Sequence, residues 1–118
     1  MATIDPSVLL ELEKYSTPGT GDIVAELIRV YLASSEAPLK EMRGNMDRKA
    51  FEVLAGVAHS QKSSAGSVGA KSLQACLATI ESAAKEKNLG LIGDLIGEME
   101  GIYRQVQSEL TDLLKKRP

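Results

Sequence analysis

His59, the only histidine of this 118-residue chain, lies in the run Val53-Leu54-Ala55-Gly56-Val57-Ala58-His59-Ser60-Gln61-Lys62-Ser63-Ser64-Ala65-Gly66. A neutral imidazole is a nucleophile toward phosphoryl groups, and an ammonium group three residues on can offset the charge such a group brings. At about 100° per residue, Gly56, Lys62, Ser63 and Gly66 fall on the helical turns above and below His59. The imidazole then projects from a patch with little side chain and one cation, while Phe51, Leu54, Ala58, Ala65 and Val68 turn inward. His59 is therefore the candidate nucleophile and Lys62 the candidate phosphate-side cation. Gly56, Ser63 and Gly66 are the positions where smallness lets another protein descend on the helix. In phosphoryl transfer most of the catalysis is positioning and charge stabilisation, and a partner can supply much of both, a metal ion included.

Other chemistries are poorly served. The chain has no GxxxxGK[ST] or GxGxxG run for a nucleotide and no HExxH for a metal. One histidine and one cysteine, Cys76, cannot assemble a structural zinc site. Ser60 and Ser63 lie near His59, but Ser60 points along a diverging face and no oxyanion hole accompanies Ser63. The expectation is no cofactor and no bound metal. Fourteen basic against 16 acidic residues give a net charge of -2, with no long basic run, which disfavours nucleic acid as a partner. A single cysteine allows no intramolecular disulfide and suits a reducing compartment. Without an apolar span or a cationic, apolar leader at Met1-Ala2-Thr3-Ile4-Asp5-Pro6, the expected location is cytoplasmic, with no membrane association.

The elements that must position His59 read as helices. With no Trp, three Tyr and one Phe, the core must be built from Leu, Ile, Val, Ala and Met, a composition that suits packed helices. Asp5-Pro6 is an N-cap with proline at the first helical position, opening a short helix through Val8, Leu9 and Leu12. Thr17-Pro18-Gly19-Thr20-Gly21 breaks it. From Asp22 the apolar period resumes at Ile23, Leu27, Val30, Tyr31, Leu39 and Met42, with Pro38 expected to kink or locally break the helix. Gly44-Asn45-Met46-Asp47 is expected to turn the chain, with Asp47 capping the histidine-bearing helix. Leu73, Leu77, Ile80 and Ala84 mark a further helix, with Leu89-Gly90 as the expected turn after it. Ile92, Leu95, Ile96, Met99, Ile102, Tyr103, Val106, Leu110 and Leu113 form a long stripe on the last. Short connections favour antiparallel neighbours, so the expectation is an all-α, antiparallel up-down four-helix bundle with a short N-terminal helix packed at one end. One domain, residues 1–118, accommodates all of it.

Ala58-His59-x-x-Lys62-x-Ser64, followed by Val68-Gly69-Ala70, Leu73 and Ile80-Glu81, resembles the histidine-containing phosphotransfer (HPt) domain of two-component phosphorelays. The resemblance implies a four-helix bundle with a solvent-exposed phosphoaccepting histidine, His59, assisted by Lys62. It implies phosphoryl relay between the aspartates of receiver domains, those of hybrid sensor kinases and response regulators, by a monomer without ATP-dependent kinase activity of its own. Two positions depart from the family pattern: Ser63 stands where glycine usually follows the lysine, and Gln61 where an apolar residue is usual. Gln61 needs partners for its amide if it faces inward. Those departures keep open an alternative: an HPt-like docking module that binds receiver or kinase domains without phosphotransfer.

Overall fold

The computed structural model describes residues 3–16 and 21–117. The expected break at Thr17-Pro18-Gly19-Thr20 lies outside the described residues. Five helices follow one another: α1 (Pro6–Glu13), α2 (Ile23–Asp47), α3 (Phe51–Ser67), α4 (Lys71–Lys85) and α5 (Leu89–Lys115). No strand occurs among the described residues.

Capping residues start three of these helices. Asp5 accepts a hydrogen bond from the Ser7 amide with Pro6 in the first turn, Asp22 accepts from the Ala25 amide, and Asn88 accepts from the Leu91 amide. Each satisfies an N–H that the helix itself leaves unpaired. Turns of three residues join α2 to α3, α3 to α4 and α4 to α5, which forces each pair antiparallel. Cross-links confirm that α2 and α5 also run oppositely, since Arg43 pairs with Glu100 while the earlier Ser35 meets the later Tyr103. The inner stripes of α2 to α5 meet in one core, in which Ile28, Leu54, Leu77, Ile80 and Ile96 are fully buried. Burial on this scale, at roughly 25 cal/mol per Å² of apolar surface, is what holds the bundle closed.

Helices α2 and α5 have 25 and 27 residues against 17 and 15 for α3 and α4. At about 1.5 Å per residue the longer pair outruns the shorter by on the order of 10 Å. Helix α1 packs against that overhang through buried Leu9 and Val24. Arg117 ties the same end together, its guanidinium reaching both Asp22 and Glu13. The bundle with its short N-terminal helix is the architecture expected from the sequence.

Three local expectations need correction. Gly44-Asn45-Met46-Asp47 does not turn the chain, because α2 continues through it, keeping Met42 and Asn45 on the buried face. The turn is made instead by Lys49, at a φ of 56°, and α3 begins after Ala50 without a side-chain cap. Leu89-Gly90 likewise opens α5, and Lys87, again at a φ of 56°, makes the preceding turn. In both cases a lysine adopts the left-handed conformation that glycine signals would have led one to seek elsewhere. Pro38 does not interrupt α2, which is a single helix from Ile23 to Asp47. Buried Ser35 and Leu39 on either side hold the helix to the core across the missing N–H.

The turn between α3 and α4 is latched by the N-terminal segment. The Asp5 amide donates to the Gly69 carbonyl at 2.8 Å, and the Asp5 carboxylate pairs with Lys71 Nζ at 2.7 Å. Gly69 has a φ of +79°, and a Cβ there would lie 2.6 Å from the Asp5 carbonyl oxygen. Gly69→Ala should therefore destabilise the protein by about 2 kcal/mol or more, combining left-handed backbone strain with the clash. Urea denaturation followed by circular dichroism measures this, and an unchanged midpoint would contradict the latch.

Candidate functional site

Helix α3 turns Leu54, Ala58 and Ala65 into the core and leaves His59 on its outer side. The His59 side chain is 65% exposed, yet its ring is not free to turn, because Nδ1 lies 3.1 Å from Oε2 of Glu81 on α4. Glu81 is on the same helical face as Leu77, four residues earlier, so its carboxylate is nearly buried at the α3–α4 seam. A buried charge requires partners. Lys62 Nζ contacts Oε1 at 2.9 Å and Lys85 Nζ contacts Oε2 at 3.2 Å. One carboxylate thus gathers the imidazole and two lysines.

Its protonation follows from those contacts. The hydrogen bond from Lys62 first, then that from Lys85, holds the Glu81 pKa down to about 2. An ionised carboxylate only accepts hydrogen bonds, so Nδ1 of a neutral His59 carries the N–H. Its Nε2 keeps a lone pair and has no protein partner among the described residues. The geometry therefore selects one tautomer and turns its nucleophilic nitrogen to solvent.

The small-residue surround is unevenly open. Gly56 and Ser63 are exposed, and a Cβ added at Gly56 would meet nothing within 4 Å. A shallow groove lined by Pro38, Val53, Gly56 and Ser60 runs beside them, between α2 and α3. Gly66 differs, being covered by the Gln74 side chain of α4, so its smallness serves the packing of that amide. Gln61 faces inward, 7% exposed, and its Oε1 has no partner among the described residues. Cys76 is buried and its thiol is pushed up to about 11 by burial, which makes it inert. No three His, Cys, Asp or Glu side chains among the described residues gather as a metal site. No helix is long and apolar enough to cross a membrane.

Sequence reasoning named His59 and Lys62 but assigned no role to Glu81 or Lys85. A signal was present: Glu81 falls on the Leu73-Leu77-Ile80-Ala84 stripe, where an acid must find cations. Lys85 sits one turn on, at the spacing that meets it.

A family model of the Hpt domain matches residues 26–115. Among solved structures, histidine-containing phosphotransfer protein B from Pseudomonas aeruginosa PAO1 is similar, with a TM-score of 0.88 and 22% identity over 98% of this chain and 97% of that one. At that identity the likeness establishes the fold. No curated protein matches the sequence significantly.

The depressed pKa of Glu81 carries a stability consequence. A carboxyl that ionises more readily when folded stabilises the protein above its unfolded pKa, near 4.5, and loses that contribution as pH falls toward about 2. Between pH 5 and pH 2 the denaturation midpoint of the wild type should drop further than that of Glu81→Gln. Parallel curves would contradict the arrangement around this carboxylate.

Proposed function

Because the chain belongs to the Hpt domain family, whose members carry out histidine phosphotransfer in phosphorelays, we propose that His59 accepts a phosphoryl group at Nε2 from one receiver-domain aspartate and yields it to another. The observation that carries this reading is the exposed imidazole whose Nδ1–H is held by an ionised carboxylate. In the forward step the Nε2 lone pair forms the N–P bond as the P–O bond of the aspartyl phosphate breaks. The electron pair of that bond returns to the aspartate as carboxylate. Nδ1 keeps its proton, so the ring becomes cationic, and Glu81 lies where it stabilises that charge. On return, attack by the second aspartate breaks the N–P bond and restores the neutral ring.

Lys62 keeps Glu81 ionised and, beside the ring, stabilises the charge of the phosphoryl group on His59. Gly56 and Ser63, both exposed, serve as the surface on which a receiver domain rests, while Gly66 supports it by admitting Gln74 beneath. The receivers belong to hybrid sensor kinases and response regulators, and the carrier acts as a cytoplasmic monomer, a single domain over residues 1–118 with no cofactor of its own. The convex setting of His59 favours that reading, since a nucleophile standing proud of a helix suits the recessed aspartate of a partner better than a small molecule.

The test is to incubate the protein with a panel of labelled, phosphorylated receiver domains and assay acid-labile, base-stable phosphate. Uptake by the wild type and loss in His59→Gln are expected, with Glu81→Ala slowing uptake by about tenfold or more through loss of the acceptor that orients the tautomer. Uptake that survives His59→Gln would overturn the assignment. Receiver binding without uptake by wild type would replace it with a docking role.

A further inference from the structure

The cations around Glu81 outnumber the charge they neutralise. Glu81 contributes one negative charge, while Lys62 and Lys85 contribute two positive ones, all within 3.2 Å of its two oxygens. With a neutral imidazole the cluster carries a net charge of about +1 before any reaction. Transfer from an aspartyl phosphate adds the equivalent of PO3⁻, a single negative charge, since the aspartate departs with the other. One lysine is therefore committed to Glu81 and one is in surplus, and the surplus matches what arrives.

The contacts distinguish the two lysines. Lys62 has Oε1 to itself at 2.9 Å, and its side chain is only 29% exposed. Lys85 must share Oε2 with the Nδ1–H of His59, at a longer 3.2 Å, and its side chain is 68% exposed. The imidazole N–H remains on Oε2 after phosphorylation and becomes a stronger donor once the ring is cationic. Competition on that oxygen thus weakens the hold on Lys85 at the moment negative charge appears nearby. Because both nitrogens touch Oε2, Lys85 Nζ lies no farther from Nδ1 than the sum of the 3.1 and 3.2 Å contacts. Four rotatable bonds allow an exposed lysine to swing from there along the ring toward the Nε2 side at little cost.

We propose that Lys85 is a second charge-stabilising residue of the transfer reaction, beside Lys62: it exchanges its contact with Glu81 for the phosphoryl group arriving on His59, while Lys62 holds Glu81 in place and adds its charge from there. This rests on His59 being the phosphoacceptor and divides the electrostatic task between two helices. Lys62 sets the carboxylate that orients the ring and adds a fixed positive charge from α3, and Lys85 brings a second, mobile charge to the phosphoryl oxygens from α4.

The experiment uses the full chain and phosphoramidate as the phosphodonor, which needs no partner protein. Initial rates of phosphohistidine formation are compared for wild type, Lys85→Gln, Lys85→Arg and His59→Gln, at low and at high salt, with thermal melts of each. Lys85→Gln is expected to lower the rate about threefold to tenfold with only a small drop in the melt, because Lys62 still pairs with Glu81, and Lys85→Arg to restore most of the rate. The difference between wild type and Lys85→Gln should shrink as salt screens the exposed charge. Equal rates for wild type and Lys85→Gln, with labelling lost in His59→Gln, would overturn the role of Lys85 while leaving the phosphoacceptor in place. Absence of labelling in the wild type, from phosphoramidate and from phosphorylated receivers alike, would overturn both.

Discussion

The carboxylate of Glu81 decides what the exposed imidazole can be. An unheld histidine on a helix surface samples both tautomers and several rotamers, and is a poor nucleophile in any one direction. Once Glu81 is ionised and seated, the ring has one orientation, one N–H and one outward lone pair. The remaining features of the site follow. The acid is nearly buried and so requires cations, and the two lysines that meet it place positive charge beside the imidazole. Their hydrogen bonds hold its proton affinity low enough that the arrangement persists through ordinary pH.

That contact spans two helices, so its geometry is only as good as the α3–α4 packing. The seam is sealed by fully buried Leu54, Ala58, Leu73, Leu77 and Ile80. Its connecting turn is fixed by Gly69 and by the Asp5 latch from the N-terminal segment. A carboxylate displaced by 1 Å would lose either the ring or a lysine, since each contact already spans close to a full hydrogen bond. The bundle thus acts as a rigid mount for a site exposed on one side, and the chemistry needs neither a cleft nor a lid in this chain.

Much of this was legible in the residues. The inward spacing of Leu54, Ala58 and Ala65 fixed the outward direction of His59, and the periods of α4 and α5 gave the bundle. Boundaries were harder. Gly44-Asn45 and Leu89-Gly90 read as turns because glycine usually marks them, yet packing of Met42, Asn45 and Ile92 extends both helices through those positions. Lys49 and Lys87 take the positive φ instead, an outcome set by tertiary context with no local sequence signal. Within the site, His59 and Lys62 were evident from spacing on one helix. Glu81 and Lys85 signal only their own pairing along α4; that they meet His59 depends on which helix lies beside α3, information that a single-helix pattern does not contain. By spacing Gly66 belongs with Gly56 to an open surround, and only the position of Gln74 separates them.

The central claim is that Nε2 of His59, set by an N–H from Nδ1 to Glu81, is the atom that takes the phosphoryl group. With one histidine in the chain, nitrogen-15 and phosphorus-31 NMR of the labelled protein before and after phosphoramidate treatment reads that atom directly. Proton-bearing Nδ1 in the free protein and a phosphorus-coupled Nε2 afterwards are the predicted result. A phosphorus coupling at Nδ1, or a free imidazole with its proton on Nε2, would contradict it.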